Sequence, residues 1–401
     1  MTMAVSKTDG VYYDPYDFEI DEDPYPVWKR MRDEAPLYYN EKYEFWALSR
    51  YEDVERGLKE WKKYSSAKGT LLEIIKSGSE LPPGMFIFED PPDHDLHRAL
   101  LVNIFTPRRI AALEEKIRAF CVQTLEPKVG CEGFDFIEDL GAQMPMRTIG
   151  MLLGVPEQDQ EAIRDRNNAG LRLAEGAPPD MQKRLSEGEG GVFAEYIEWR
   201  ANNPSDDIMS DLLRAEFTDT DGTRRRLSRE EVLGFVNLLS GAGNETTARL
   251  IGWAGKVLAD FPDQRALLVK EPTLIPRAIE ELLRFESPSP VQGRYVTEEV
   301  EHYGTKIPAG STMLLLTASA NRDERRFANP DAFDVRRTGS HVAFGHGIHF
   351  CLGAALARLE GRVALEEVLK RFPEWEVDKQ KAVQARTSTV RGWETMPVKV
   401  K

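Results

Sequence analysis

The chain has 401 residues, 41% hydrophobic and 30% charged, with Lys+Arg 53 against Asp+Glu 67 and a formal net charge of −14. This composition excludes wholesale disorder, and the acidic balance makes the protein a poor general partner for nucleic acid or anionic lipid. Three cysteines (Cys121, Cys131 and Cys351) are too few for a disulfide scaffold and fit a reducing cytoplasm, and no apolar run approaches the roughly 18 residues of a membrane span.

Residues 1–24 are polar and proline-punctuated and read as an irregular lead-in. Residues 25–34 form a short helical pattern ahead of Pro36. Pro36–Asn40 and the aromatic stretch 43–54 suit paired strands. Residues 66–92, with scattered Gly, Ser and Pro, read as a long functional loop around one short helix. From His94 to Arg200 the pattern is mostly helical, and its Gly/Glu-rich part, 170–191, reads as mobile. The Asp219–Thr223 segment (DTDGT) is a hairpin turn. Ser228 with Glu231 is a capping box that opens a pattern running to Phe261-Pro262. About 33 residues at 1.5 Å each is about 50 Å, enough to cross a whole domain. Helix continues over 263–285, interrupted at Pro272 and Pro276. Then come a turn at 303–310, a strand or buried segment at 312–320, a coil over 321–343, a last helix at 352–371 and a β-rich tail. The expected fold is mainly α with small β-sheets, in a single domain over 1–401.

The segment Phe344-Gly-His-Gly-Ile-His-Phe-Cys-Leu-Gly353 is a glycine-rich loop that delivers one cysteine to the start of an apolar helix. Helix N-terminal N–H groups stabilise a thiolate there. Gly347 and Gly353 would let the backbone pass close to a flat ligand and leave N–H groups free for the sulfur. Two other readings stand beside this one: Cys351 as an ordinary buried thiol, or His346, His349 and Cys351 as zinc ligands. The segment resembles the haem-binding loop of the cytochrome P450 superfamily of haem-thiolate monooxygenases, F-x-x-G-x-[basic]-x-C-x-G, through Phe344, Gly347, His349, Cys351 and Gly353. The resemblance implies haem b (iron protoporphyrin IX) with the Cys351 thiolate as axial ligand, and Phe344, Gly345, His349 and Gly353 around it. It also implies a single-domain P450 fold, with haem between the long central helix and the helix after the cysteine.

Phe235, Leu239, Ala242 and Thr246 share one face of the long helix. Gly241, Ala242 and Gly243 leave room beside that face, Thr246 can bond back to a carbonyl or hold a water, and Glu245 supplies an acid. The family's oxygen-binding signature, [AG]-G-x-[DE]-T, is filled by Ala242 through Thr246. The resemblance implies Thr246 and Glu245 as catalytic residues and Ala242 and Gly243 as haem contacts. It further implies a buried ion pair Glu281–Arg284 joined by Arg337. Haem propionates would be held by His94, Arg98, His349 and the strand residues Gln292 and Arg294. His97 lies on another face of its helix and reads as a surface residue.

By the family's layout the substrate pocket draws on Leu71, Leu72, Ile75, Met85, Phe86, Phe88, Phe235, Leu239, Ala242, Pro290, Val291 and Val390, which are apolar and suit a hydrophobic small molecule. Lys68, Lys76, Arg172 and Lys183 are candidate partners for a substrate carboxylate, with solvated surface charge as the plain alternative. The chain carries no flavin motif or iron–sulfur cysteine cluster, so the electrons are expected from a ferredoxin fed by an NAD(P)H-dependent ferredoxin reductase. Arg108, Arg109, Arg358 and Arg362 are candidates to steer that acidic partner. The expected activity is insertion of one atom of O2 into a C–H bond, by a cytoplasmic bacterial monomer without a membrane anchor. A peroxide-driven peroxygenase and a non-catalytic haem-thiolate sensor or carrier are the alternatives.

Overall fold

The longest element is a helix over Arg229–Asp260. It begins where the Ser228 hydroxyl accepts from the Glu231 N–H at 3.1 Å and the Glu231 carboxylate accepts from the Ser228 N–H at 2.6 Å, the expected capping box. It ends at Phe261 because Pro262 cannot continue the ladder; Pro262 opens the next helix, Pro262–Lys270, instead. Buried residues from Val232 to Leu258 surround the long helix on most sides, so it runs through the interior. Helices Gln143–Leu153, Val192–Asn202, Ile275–Phe285 and Ala354–Arg371 pack on it. The computed structural model describes residues 10–173, 178, 192–388 and 390–401. Within them one hydrophobic cluster continues from Phe86 to Val398 by way of the long helix.

A five-stranded sheet flanks this helical body, in the order Leu37–Asn40, Phe45–Leu48, Thr312–Leu315, Gln292–Val296, Tyr64–Ser65. Only the 312–315 and 45–48 pair is parallel. Side chains alternate across the strands: Leu314 joins one apolar cluster with Tyr16, Trp28 and Leu72, while Met313 and Leu315 join another with Val54 and Tyr64. Four small sheets elsewhere among the described residues, one of three strands and three of two, include the Glu216–Thr218/Arg224–Arg226 hairpin around the DTDGT turn.

Two expectations are corrected. The lead-in is tied down: Val11, Tyr13 and Tyr16 are buried and Phe18–Glu22 is a helical turn, because aromatic burial anchors a segment whose average polarity suggested coil. The strand expected over 43–54 stops at Leu48, and Tyr51–Lys59 is a helix. The Tyr51 N–H is capped by Asp323 Oδ2 at 2.8 Å, and Glu52 and Asp53 sit in the first turn, where the helix dipole favours them. Segment 312–320 is buried throughout, as expected of a strand or buried segment, with a strand over Thr312–Leu315 and a helical turn over Thr317–Ala320. Most of the stretch expected to be mobile (174–177 and 179–191) lies outside the described residues.

Candidate functional site

Cys351 sits between the coil that follows the sheet and the helix Ala354–Arg371, whose N-cap is Gly353. The Cys351 N–H donates to the Phe344 carbonyl at 2.9 Å, closing the loop. Phe344 packs under the Arg358 guanidinium, 4.5 Å from the ring centroid, between His341 and Phe350. Gly345 and Gly347 take positive φ, +70° and +71°. A Cβ on Gly347 would lie 2.8 Å from the Leu58 carbonyl oxygen, so glycine here lets the loop approach the helix Tyr51–Lys59 closely. Burial pushes the Cys351 thiol up, while the Gly353 N–H and the charges of Arg98 and Arg358 act the other way. A thiolate at this position therefore needs a further positive charge, and a metal ion supplies one. Among the described residues no three His, Cys, Asp or Glu side chains are arranged to hold a metal between them, so zinc held by His346, His349 and Cys351 does not fit.

Beside the cysteine the basic side chains Arg98, Arg294, His94 and His349 gather, His94 with its Nδ1 2.9 Å from Asp95 Oδ1 and Arg294 under the charge of Asp90. The Arg98 Nη2 reaches the Phe350 carbonyl at 2.6 Å and so ties the helix Asp93–Val102 to the cysteine loop. Arg294 is buried, its one hydrogen bond going to the Gly293 carbonyl at 2.7 Å; burial pulls its guanidinium down to about 10. His94 and His349 meet with ring centroids 4.5 Å apart, and each has a buried Nε2 without a partner. Burial, followed by the charges of Arg294, His94 and Arg98, pulls His349 down to about 2. The buried Arg294 guanidinium, with one hydrogen bond, keeps donors unspent and calls for acceptors, and the two carboxylates of haem would supply them beside His94 and His349. The residues present therefore fit haem on both counts, a sulfur ligand and an anion cradle. Gln292 contributes less directly, since its Nε2 donates to Ser289 Oγ at 2.9 Å.

Halfway along the long helix Ala242 is exposed and Thr246 half-buried, while Asn244, Glu245 and Thr247 are buried. One face of an interior helix thus keeps accessible surface at Ala242 and Thr246, residues the signature marks. The Thr246 hydroxyl donates to the Ala242 carbonyl at 2.8 Å. Glu245 accepts from Arg249 Nη2 through both carboxylate oxygens, at 3.0 and 3.2 Å. Arg249 was not singled out from the sequence, although its i, i+4 spacing from Glu245 is legible there. Gly243 passes Ile149, to which a Cβ would come within 3.2 Å.

The Glu281–Arg284 pair is bidentate, 2.7 and 2.8 Å, with both side chains almost wholly buried. Arg337 Nε donates to the same carboxylate at 3.1 Å, as does the Asp334 N–H. Arg284 also donates to the carbonyls of Asn321, Pro330 and Ala332, fastening the coil that leads to the cysteine.

Several expected pocket residues are core instead. Phe235 has no exposed surface; its ring lies 6.0 Å from Phe86 and 5.6 Å from His97. Phe86, Leu72, Leu239 and Val390 are likewise buried, with Leu72 on the wall of a small cavity beside Glu73. Leu71, Ile75, Met85, Phe88, Pro290 and Val291 keep accessible surface. Among the basic candidates, Lys76 donates to the Glu44 carbonyl and Arg172 pairs with Glu394, Lys68 is exposed, and Lys183 lies outside the described residues. Arg358 is held by Glu280, and Arg362 by Glu114 and Glu366, so neither is a free surface cation; Arg108 and Arg109 are exposed.

His97 is not a surface residue. It is buried, with Nδ1 2.7 Å from Glu89 and Nε2 3.9 Å from Glu231. Burial alone would lower its pKa, but the hydrogen bond and charge of Glu89, with the charge of Glu231, outweigh that and raise it. A raised folded pKa adds stability that is complete below the unfolded value of about 6.5 and is lost as pH rises through the folded value. Urea unfolding of the wild type is expected to show stability falling across that window relative to His97→Gln. Parallel pH profiles would show that the clamp adds nothing.

The sequence profile of the cytochrome P450 family matches residues 190–400. A putative cytochrome P450 123 from Mycobacterium tuberculosis is 39% identical over 407 aligned positions, covering 100% of this chain and 99% of that protein. The vitamin D(3) 25-hydroxylase of Pseudonocardia autotrophica is 36% identical, covering 99% and 98%. Among solved structures, a mutant of P450 EryK in complex with erythromycin B superposes with a TM-score of 0.85 at 32% identity, covering 95% and 96%. CYP109E1 from Bacillus megaterium in complex with testosterone gives 0.86 at 31%, covering 96% and 99%. With likeness running the length of the chain and a half-buried cysteine beside Arg98, Arg294, His94 and His349, the protein belongs to the cytochrome P450 family of haem-thiolate monooxygenases.

Proposed function

We propose that this protein inserts one oxygen atom of O2 into a C–H bond of a large hydrophobic small molecule, with electrons from a separate ferredoxin and its NAD(P)H-dependent reductase. The observation that carries this reading is the opening at Ala242 and Thr246 in a long interior helix, with the buried Glu245–Arg249 pair directly beside it. Haem b bound through Cys351 supplies the redox iron and a thiolate that favours O–O cleavage. Cys351 holds the metal side, and His94, Arg98, Arg294 and His349 hold the carboxylates. Thr246, its own proton committed to Ala242, offers its oxygen lone pairs to a water and so orders a proton donor at the cavity. Arg249 fixes the Glu245 carboxylate, and proton relay through Glu245 requires that pair to loosen. The accessible apolar residues Leu71, Met85, Phe88 and Val291 exclude water from the reacting bond. Relatives named for or solved with vitamin D(3), testosterone and erythromycin B support a bulky, mostly apolar substrate. For the electron donor, Arg108 and Arg109 remain exposed on the short helix Pro107–Ala111, which packs on the helix after the cysteine.

A screen of hydrophobic compounds for low- to high-spin shifts, followed by product analysis with ferredoxin and reductase or with peroxide alone, tests the reading. Turnover with peroxide only would replace it by a peroxygenase. Thr246→Ala is expected to lower product formed per electron by about tenfold or more, the scale of losing a positioned proton donor, with the electrons recovered as peroxide. Unchanged coupling would remove Thr246 from the proton path.

A further inference from the structure

One buried carboxylate lies outside this machinery. Glu73, in the short helix Leu72–Ser77, is 6% exposed. Its Oε2 accepts from the Tyr16 hydroxyl at 3.3 Å, and its Oε1 is buried without a partner. Glu73 lines a cavity of about 60 Å³ beneath the N-terminal segment, walled also by Asp14, Asp21, Leu71, Val291 and Ser388. Ser388 Oγ is a second buried polar atom there without a partner. The two other acids are satisfied. Asp14 accepts from the Tyr16 N–H at 2.8 Å and from Lys42 at 3.1 Å, and Asp21 accepts from Arg386 at 2.9 Å. Arg391, also on the wall, is bound to Glu286 at 2.7 Å and to the carbonyls of Asp21 and Glu22. Among the described residues no cation pairs with the free oxygen of Glu73, and a buried carboxylate left half-satisfied carries its desolvation penalty unrelieved.

We propose that this cavity recognises a protonated amine on the substrate, with Glu73 Oε1 as acceptor and Ser388 Oγ as a second polar contact. The proposal rests on the reading of the protein as an oxidase of hydrophobic molecules. The cavity is distinct from the cationic cradle. Gly293 and Leu314, cross-strand partners, line it, whereas Arg294 and its partner Met313 point to the other face of the sheet. Its volume suits an ammonium head, while Leu71 and Val291 give the carbon skeleton an apolar wall. The same carboxylate repels an acid, so this subsite selects against fatty-acid tails.

Calorimetry on the haem-loaded protein at pH 7 tests this with two probes of one chain length, N,N-dimethyldecylamine, which is protonated there, and 1-decanol. The amine is expected to bind at least about tenfold more tightly, and Glu73→Gln to bring the two within about threefold. Equal affinities in the wild type, or a preference that survives Glu73→Gln, overturn the proposal; direct nitrogen ligation of iron would give the latter. A wild-type crystal soaked with the amine is expected to place its nitrogen within about 3.5 Å of Glu73, and a nitrogen elsewhere overturns the proposal whether or not the variant folds. The carbon monoxide spectrum of the reduced protein tests the haem-thiolate reading separately.

Discussion

Cys351→Ser is expected to fold and yet to lose the red-shifted Soret band that the reduced wild type shows with carbon monoxide. The substitution is nearly isosteric and leaves the loop's own bonds in place: the residue 351 N–H to the Phe344 carbonyl, the Arg98 reach to the Phe350 carbonyl, and the positive φ at Gly345 and Gly347. What changes is the acid. A thiol that burial pushes up can still ionise beside a metal, with the Gly353 N–H and the charges of Arg98 and Arg358 helping. A serine hydroxyl holds its proton far more tightly and gives no comparable electron push. Monooxygenation should fall by about a thousandfold or more, the scale of losing an electrostatic element aimed at the reaction centre. A variant that kept the wild-type band would remove Cys351 from the metal.

The second large effect is structural. Glu281→Ala removes the carboxylate that Arg284, Arg337 and the Asp334 N–H share, leaving two guanidinium groups facing each other in a site with almost no solvent. Breaking a buried pair from one side costs about 3–5 kcal/mol, a large part of the roughly 5–15 kcal/mol that holds a typical domain folded. The loss should show as a lower urea midpoint and as poor haem retention, because the same cluster fastens the coil at Asn321, Pro330 and Ala332 that leads to the cysteine loop. Surface pairs of the same i, i+3 spacing cost under about 1 kcal/mol when broken. A measured loss that small would mean the cluster is hydrated in solution.

The elements that were legible in the sequence are those whose signals are local. The capping box at Ser228 and Glu231 needs only four residues to announce a helix start, and Pro262 needs only itself to announce the end. The loop around Cys351 is read from glycines and one cysteine at fixed offsets, and the exposed face at Ala242 and Thr246 from helical periodicity. Where the reading failed, the deciding contact was distant. His97 reads as surface because periodicity places it away from His94. It is buried because the long helix brings Glu231 and Phe235 to that side. Phe235 reads as pocket lining from its face of the helix, yet Phe86 and His97 close over it. Arg358 reads as a free cation because its acid, Glu280, lies far away in the chain, as does one of the two acids on Arg362, Glu114.

By itself the sequence determined the chemistry: one cysteine for a metal, an alcohol beside an acid at a gap in a helix, and imidazoles and guanidinium groups enough for an anionic cofactor. Tertiary structure decided which charges are already spent. Arg249 occupies Glu245, and Glu280 occupies Arg358, while Arg294 and the Nε2 atoms of His94 and His349 are left unanswered, as is one oxygen of Glu73. The physical reason is that a charge's availability depends on what desolvates and pairs with it. Arg249 lies one helical turn from Glu245, but Glu280 is 78 residues from Arg358, beyond the reach of any local pattern.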